Sequence, residues 1–240
     1  WYTRDGHRQQ TIGPGPALFR YPSLSPDGKL VAVAIIDPDM PRGDLWLIGS
    51  DDHMRRRFTF DPRAENSPIF TPDGKRIVCS VSGDLFLKSV DGGGTPELLF
   101  ASPHPKAPCG FTADGKMLLV KSNHPTNGGD LWMVPMQGDH RLIPFSTDKF
   151  NDGGCSLSPD GRWVAVTRDE SGRLEIWIFS ATPEGQQRQK VQVTTRGGTS
   201  VHWRSDSREL FFFGSQYLLA AKVAPGPNLS VSPIERLFPA

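Results

Sequence analysis

Residues 157–166 read Leu-Ser-Pro-Asp-Gly-Arg-Trp-Val-Ala-Val, a turn tetrapeptide between apolar positions. Ser158 opens the turn, Pro159 presets its backbone angle, and Gly161 permits the positive φ with which such a turn ends. Residues 163–166 show no polar alternation, which is typical of strands that are buried on both faces. This stretch therefore predicts a hairpin tip that joins two strands of a buried sheet.

The same turn pattern recurs along the whole chain. The turn aspartates stand 46, 41, 46 and 46 residues apart, at Asp27, Asp73, Asp114, Asp160 and Asp206. Each turn is followed by an apolar run, in residues 30–36, 77–79, 117–120, 163–166 and 210–213. We interpret the five aspartates as structural turn formers that accept backbone N–H groups, because Asp commonly closes its own turn in this way.

Two further strands follow each predicted hairpin. The third strand combines an acidic residue with a central aromatic, as in Asp-Leu-Trp-Leu at 44–47 and Asp-Leu-Trp-Met at 130–133. The fourth is shorter and more polar, in residues 57–59, 97–100, 141–145, 190–194 and 235–238. Units of four strands and about 40 to 50 residues are typical of β-propeller blades.

A radial arrangement gives each of these sheets a neighbour on both faces, so that neither apolar face meets water. We therefore predict an all-β propeller of four-stranded antiparallel blades, forming a single domain over residues 1–240. Five full blades are predicted at about 19–60, 65–102, 106–147, 152–195 and 199–238. Residues 1–13 are predicted to be a half blade, so the ring would be of a six-bladed type whose last blade is incomplete.

The charge balance gives no indication of a polyanionic partner. The 240 residues contain 27 Lys and Arg against 26 Asp and Glu, a net charge of +1, without any polybasic run. We therefore expect no nucleic-acid binding and, in the absence of a long apolar stretch, no direct membrane insertion. The chain is expected to be a piece of a longer protein.

Three cysteines are too few for a disulfide framework or a paired zinc site. Cys109 and Cys155 each stand five residues before a turn aspartate, which places them at equivalent sites of consecutive innermost strands. Away from the propeller axis, such sites are farther apart than the roughly 7 Å between Cα atoms that a disulfide allows. We therefore expect two buried free thiols.

The repeats resemble TolB-type, WD-repeat-like propeller repeats, whose mark is the Ser-Pro-Asp-Gly tip followed by an aliphatic strand and an acidic-Leu-aromatic strand. Residues 19–28, 66–68, 169–173 and 203–211 also resemble the C-terminal propeller of bacterial membrane-anchored Ser/Thr protein kinases. The resemblance implies an extracytoplasmic interaction or sensor domain, periplasmic or at the cell surface, with catalysis on a separate segment. A cytoplasmic location stays open.

No catalytic residue is predicted in this chain. It lacks the Gly-x-Ser-x-Gly elbow of hydrolases and the motifs of protein kinases. The six histidines never pair at metal-ligand spacing, and the aspartates at 37, 39 and 44 lack the spacing of a calcium loop. We expect no cofactor and no metal.

Propellers bind ligands at the channel mouth, where the loops that lead into the innermost strands converge. The candidate ligand-binding residues there are Arg20, Glu65, Asn66, Lys106, Asp152, Ser200 and His202. Their mixed charge favours a peptide, a protein or a small polar ligand.

Two alternatives remain from the sequence. The propeller could gate substrates of a peptidase or other hydrolase whose catalytic domain lies outside this chain, or it could be a propeller enzyme with a metal or acid-base cluster on its axis. An incomplete last blade would also leave an unpaired strand edge, which favours a homodimer.

Overall fold

The protein is described by a computed structural model that covers residues 1–13, 17–37, 40–51, 54–101, 103–124, 128–182, 188–224 and 226–239. Within these ranges the chain forms twenty β-strands and no helix. The strands make five antiparallel sheets of four strands each. No segment of the described chain is therefore a helix that could cross a membrane.

The first sheet consists of β1 (Leu18–Leu24), β2 (Leu30–Asp37), β3 (Met40–Gly49) and β4 (Arg55–Arg57). The second consists of β5 (Glu65–Phe70), β6 (Arg76–Val81), β7 (Asp84–Ser89) and β8 (Glu97–Phe100). The third consists of β9 (Lys106–Phe111), β10 (Met117–His124), β11 (Gly128–Pro135) and β12 (Ile143–Ser146). The fourth consists of β13 (Asp152–Leu157), β14 (Trp163–Arg168), β15 (Glu175–Ser180) and β16 (Lys190–Gln192). The fifth consists of β17 (Thr199–Trp203), β18 (Glu209–Gly214), β19 (Tyr217–Lys222) and β20 (Glu235–Pro239).

In every sheet the four strands lie in chain order, which is the order of a propeller blade. The predicted class, an all-β propeller of four-stranded antiparallel blades, is confirmed. The number of blades is five, and the prediction of an additional half blade at 1–13 is wrong. Residues 2–8 form a tight turn instead, closed by a bridge between Tyr2 and Arg8. The reason is local, because Thr-Arg-Asp-Gly at 3–6 is itself a turn tetrapeptide and Gly6 takes a φ of +86°.

The chain divides into two compact units. The first unit consists of Trp1 and Gln10–Pro108, and it contains the first two sheets. Its core combines small and aliphatic side chains of both sheets, including Ala32, Leu45, Leu47 and Ile77. In this unit β1 also contacts β5, so the first strands of the two blades lie side by side.

The second unit consists of Tyr2–Gln9 and Cys109–Ala240. It contains the fourth and fifth sheets and the part of the third sheet that follows Pro108. Even-numbered residues of β14 pack towards the third sheet and odd-numbered ones towards the fifth, so that the fourth sheet is apolar on both faces. In this unit β13 contacts β17.

The repeated turns share one hydrogen-bond pattern. In each turn, Oδ1 of the aspartate accepts the N–H group two residues later, at 3.0–3.1 Å, from Lys29, Lys75, Lys116, Arg162 and Arg208. In the first four turns the leading Ser or Thr hydroxyl donates to the same oxygen. In the fifth turn Ser207 replaces glycine at a φ of +61°.

Some fourth strands end earlier than expected, at Arg57 and Gln192. Beyond these two strand ends, a threonine hydroxyl replaces the backbone acceptor for the neighbouring third strand. Oγ1 of Thr59 accepts the N–H of Leu45 at 2.9 Å, and Oγ1 of Thr194 accepts the N–H of Ile176 at 2.8 Å. The side chain thus satisfies a backbone donor that a longer strand would have bonded.

Candidate functional site

The first strands of four blades are irregular at one repeat position, which lies one residue earlier in the fourth blade than in the other three. Their pairing shifts between Arg20 and Ser23, Asn66 and Ile69, Asp152 and Cys155, and Thr199 and His202. Three bulge residues adopt left-handed backbone angles, with φ of 54° at Tyr21, 50° at Ser67 and 53° at Ser200. This conformation costs a non-glycine residue about 1–3 kcal/mol. Strain of this kind and bulges both concentrate at functional sites.

The structure places the candidate residues on or at the ends of these first strands. Arg20 lies on β1, Glu65 and Asn66 on β5, Lys106 on β9, Asp152 on β13, and Ser200 and His202 on β17. They separate into an accessible set and a buried set, which the sequence did not distinguish.

In the first unit, Arg20 and Asn66 are the accessible residues. Arg20 is exposed and Asn66 half-buried, and both immediately precede a left-handed bulge residue. The hydroxyl of Ser67 donates to Oδ1 of Asn66 at 3.1 Å, which orients the amide. β1 and β5 lie side by side, and the two residues stand at equivalent repeat positions of these strands, where both are accessible from the protein surface.

Glu65 and Lys106 are buried and do not reach this surface. Glu65 is 1% exposed and pairs through Oε1 with Lys88, while its Oε2 has no hydrogen-bond partner among the described residues. Lys106 is 4% exposed, and its Nζ donates to the carbonyl oxygen of His104 at 3.2 Å. Loss of hydration lowers the pKa of Lys106.

In the second unit, Asp152 belongs to a buried charge cluster centred on Arg168. The two residues are paired across β13 and β14, and both side chains are 1% exposed. Nη1 of Arg168 donates to Oδ1 of Asp152 at 2.8 Å and to Oγ of Ser146 at 3.0 Å. Its Nε donates to Oε2 of Glu170 at 2.8 Å, and its Nη2 pairs with Asp148. One guanidinium therefore holds three carboxylates and a hydroxyl.

The cluster shifts the ionisation of its members. Burial raises the pKa of Asp152 to about 6, because dehydration of the carboxylate outweighs the attraction of Arg168. Oδ2 of Asp152 has no hydrogen-bond partner among the described residues. Although burial opposes its charge, Arg168 stays protonated, since Asp152, Asp148 and Glu170 together raise its pKa.

We expect this raised pKa to make stability depend on pH. An unfolded Asp has a pKa of about 3.9, whereas the pKa of Asp152 in the folded state is about 6. Between about pH 6 and pH 4 the folded state therefore binds a proton that the unfolded state does not bind. Stability from this group is therefore gained as the pH falls from 7 to 4. Relative to the Asp152→Asn variant, the wild type should gain about 2–3 kcal/mol over this range. Urea unfolding of both proteins at several pH values measures this difference, and a constant difference contradicts the assignment.

Ser200 and His202 form the accessible part of the site in the second unit. Both residues are exposed on β17, which lies beside β13 and is fixed there by a hydrogen bond of 3.1 Å from Nε1 of Trp203 to the carbonyl oxygen of Ser156. The His202 ring keeps access to solvent although protein atoms surround much of it, and this partial dehydration lowers its pKa. His202 is therefore a neutral hydrogen-bonding group at neutral pH.

Cys109 and Cys155 form a disulfide bond, so the prediction of two free thiols is wrong. Their Cα atoms are 5.4 Å apart, within the usual range for a disulfide. The strands approach this closely because Gly110 has no side chain, and a Cβ atom there would lie 2.9 Å from Cβ of Leu157. Cys79 is free and buried, and burial raises the pKa of its thiol to about 12.

Four residues of the buried charge cluster were not predicted from the sequence, namely Arg168, Ser146, Asp148 and Glu170. Arg168 stands eight residues after its turn aspartate, where the other blades have Ile35, Val81, Ser122 and Gly214. This single charged residue at an otherwise uncharged repeat position was the available signal.

The two concave surfaces that stand out in the second unit lie elsewhere. One, of about 300 Å³, is lined by Arg162, Trp163, Gln189 and Pro227, and the other, of about 350 Å³, by Arg208, Lys222 and Ser232. Both lie beside hairpin tips and contain none of the candidate residues. Both surfaces are shallow and open to solvent, so they would enclose little of a ligand.

No group of three or more His, Cys, Asp or Glu side chains in the described part of the chain is placed to hold a metal ion. Asp39 lies outside the described residues, as does the side chain of Asp37. Asp44 forms an ion pair of 2.8 Å with Arg57.

No protein-family model matches the chain. A search of curated proteins finds the uncharacterized peptidase YuxL of Bacillus subtilis, 26% identical over 167 residues that make up 66% of this chain and 24% of the relative. It also finds the uncharacterized protein Atu1656 of Agrobacterium fabrum, 24% identical over 174 residues, or 71% of this chain and 57% of the relative. The chain thus spans only part of each relative.

Solved structures show the same fold. A "putative TolB" from Agrobacterium tumefaciens matches with a TM-score of 0.75 at 20% identity, covering 93% of this chain and 81% of that one. TolB from Acinetobacter baumannii matches with a TM-score of 0.72 at 16% identity, covering 97% and 60%. Prolyl oligopeptidase B from Galerina marginata matches with a TM-score of 0.64 at 11% identity, covering 91% of this chain and 34% of that one. The fold is therefore a TolB-like propeller that also occurs within peptidases.

Proposed function

We propose that this chain is a noncatalytic interaction or sensor propeller that binds a peptide, a protein or a small polar ligand at its first-strand bulges. The observation that carries the proposal is the recurrence of the bulge in four blades. Three of these bulges stand at one repeat position and contain a left-handed residue, and the bulge of the fourth blade lies one residue earlier. Irregular backbone frees N–H and C=O groups from strand pairing, and these groups serve polar ligands well.

The charged residues near the bulges support a binding role over a catalytic one. Asp152 and Arg168 are paired with each other, and Glu65 is paired with Lys88. A general acid or base must reach its substrate within hydrogen-bond distance, whereas these carboxylates are 1% exposed. The accessible residues offer an amide, a hydroxyl, a guanidinium and a neutral imidazole, which suit recognition by hydrogen bonds.

We further propose that the propeller belongs to a larger receptor-kinase-like protein and lies outside the cytoplasm. The resemblance of the repeats to kinase C-terminal propellers and the likeness to TolB support this placement. The disulfide between Cys109 and Cys155 supports it independently, because such bonds persist mainly in oxidising compartments. The partner is a protein, peptide or small polar ligand without a cofactor; nucleic acid does not suit the balanced charge.

A thermal-shift screen with acidic, basic and neutral hexapeptides and with neutral and acidic oligosaccharides tests the binding role. At least one class should raise the melting temperature of the wild type. Asn66→Ala and His202→Ala should each weaken that shift without lowering the melting temperature of the free protein. Arg55→Ala, on the exposed fourth strand β4, is the matched control and should leave the shift unchanged. If the ligand raises the melting temperature of all variants by the same amount as that of the wild type, the bulges are not the binding site.

A second candidate function is that of a substrate gate in a peptidase. It is favoured by the 26% identity to the peptidase YuxL and by the likeness to prolyl oligopeptidase B. In that case, the same substitutions made in the full-length protein should change which peptide lengths are cleaved. A full-length protein without hydrolase activity on peptides of any length excludes the gate.

A further inference from the structure

The turn at residues 2–8 is attached to the fifth sheet through an arginine. Nη2 of Arg4 donates to Oε1 of Glu209 at 2.8 Å and to Oε2 of Glu235 at 2.6 Å, and its Nη1 donates to Oε2 of Glu209 at 3.1 Å. The contact with Glu209 is thus bidentate, the geometry in which Arg binds a carboxylate most strongly.

Phe238 provides the apolar part of the same contact. The ring of Tyr2 stacks on the ring of Phe238, with centroids 5.7 Å apart and planes inclined by 24°. Gly6 lies against the same side chain, where a Cβ atom would come within 2.7 Å of Cβ of Phe238. The segment is therefore recognised through an aromatic residue, an arginine and a glycine at alternate positions.

The turn is closed by its own hydrogen bonds. The N–H of Gly6 donates to the carbonyl oxygen of Thr3 at 3.0 Å, and the N–H of Thr3 donates to the carbonyl oxygen of His7 at 2.9 Å. In the described part of the chain, residues 2–9 form no β-bridge and no backbone hydrogen bond with the fifth sheet. Side chains alone hold the turn in place, as they would hold a bound peptide.

The receiving surface is built independently of the turn. Glu209 lies at the start of β18 with its side chain 2% exposed, and Nη1 of Arg204 donates to its Oε2 at 3.1 Å. Glu235 and Phe238 lie on β20, which is paired with β19. Arg204 thus holds the Glu209 carboxylate independently of the turn, and strand pairing fixes the backbone of Glu235 and Phe238.

We propose that Glu209, Glu235 and Phe238 form a peptide-binding site for an aromatic-x-Arg-x-Gly turn, which the chain's own residues 2–6 occupy and which another polypeptide with this turn can enter in exchange. This site is formed by the start of β18 and by β20, and it does not depend on the proposed function of the bulges. Its ligand class follows from the seated segment: a cationic peptide turn with an aromatic residue two positions before the arginine.

The experiment uses a fluorescently labelled peptide of residues 1–10 and the full chain carrying Arg4→Gln, which removes the anchor of the intramolecular turn. The peptide should bind this variant, and it should bind the wild type about 100-fold more weakly, because the tethered turn competes at a high effective concentration. Fluorescence anisotropy measures both affinities. Equal affinities, or no binding to the Arg4→Gln chain, would overturn the proposal.

Matched controls identify the residues responsible. A peptide with Arg4→Gln should not bind, whereas a peptide with Arg8→Gln, which changes another exposed arginine of the segment, should bind like the wild-type peptide. In the Arg4→Gln chain, a second change of the exposed Glu235→Gln should weaken binding about tenfold, and Glu97→Gln at the start of β8 should not. Binding that is unaffected by Glu235→Gln and by Glu209→Gln contradicts the site. Circular dichroism of each variant shows that the sheets are formed.

Discussion

Replacing Arg168 with methionine is expected to lower the free energy of unfolding by about 3–5 kcal/mol. The substitution keeps much of the side-chain volume, but it leaves the Asp152 carboxylate buried without a cation and Asp148 and Glu170 without their shared partner. A buried carboxylate that has lost its partner keeps the cost of dehydration without the compensating attraction. The midpoint of urea unfolding at pH 7 measures the loss.

The Asp152→Asn variant is the matched control for this experiment. It removes a buried charge of the same pair, but Arg168 keeps its ion pairs with Asp148 and Glu170 and its bond to Ser146. We expect it to cost less than about 1.5 kcal/mol at pH 7, in line with a single lost hydrogen bond. If Arg168→Met costs no more than Asp152→Asn, the guanidinium is not the centre of the cluster.

Most of the fold was readable from the sequence because the repeat acts at two levels at once. The turn tetrapeptides mark the hairpin tips, and the unbroken apolar runs that follow, such as residues 163–166, mark strands with two covered faces. Both signals recur at a nearly constant interval, so a single misread turn does not change the architecture. The class and the four strands of each blade follow from them.

The blade count could not be read in the same way. Thr-Arg-Asp-Gly at 3–6 has the composition of a repeat turn, but it stands 22 residues before Asp27 and not about 46. The turn is attached through Arg4 to Glu209 and Glu235, which lie more than 200 positions away in the sequence. No local sequence pattern predicts such a contact. The repeat predicts the structure of each blade, but it does not predict where a segment outside the repeat packs.

The sequence predicted on which strands the candidate residues lie, but not which of their side chains are accessible. The repeat gives the strand on which a residue lies, but it does not show whether a neighbouring sheet covers the side chain, and consecutive residues of a strand point to opposite faces. Glu65 and Lys106 were therefore grouped with Arg20 and Asn66, although the first two are buried and the last two are accessible. Burial beside a bulge depends on the neighbouring sheet, which the sequence of one blade does not contain.

Opening the disulfide between Cys109 and Cys155 is the second change with a large expected effect. The bond closes a loop with a sequence separation of 46, for which the loss of chain entropy on cross-linking corresponds to about 4 kcal/mol. Reduction, or the double change to serine, should therefore lower the free energy of unfolding by about 2–4 kcal/mol. Urea unfolding with and without a reducing agent measures this difference.

Thiol counting separates the disulfide from the alternative of two buried free cysteines. Unfolded in urea without reductant, the chain should show one reactive thiol, that of Cys79, and after reduction three. In the folded protein Cys79 should not react, because burial raises its pKa to about 12 and the thiolate is the reactive form. Cys79→Ala is the matched control, since its loss of stability should be the same with and without reductant. Three thiols in the unreduced, unfolded chain would mean that Cys109 and Cys155 are not bonded to each other, and would contradict the disulfide.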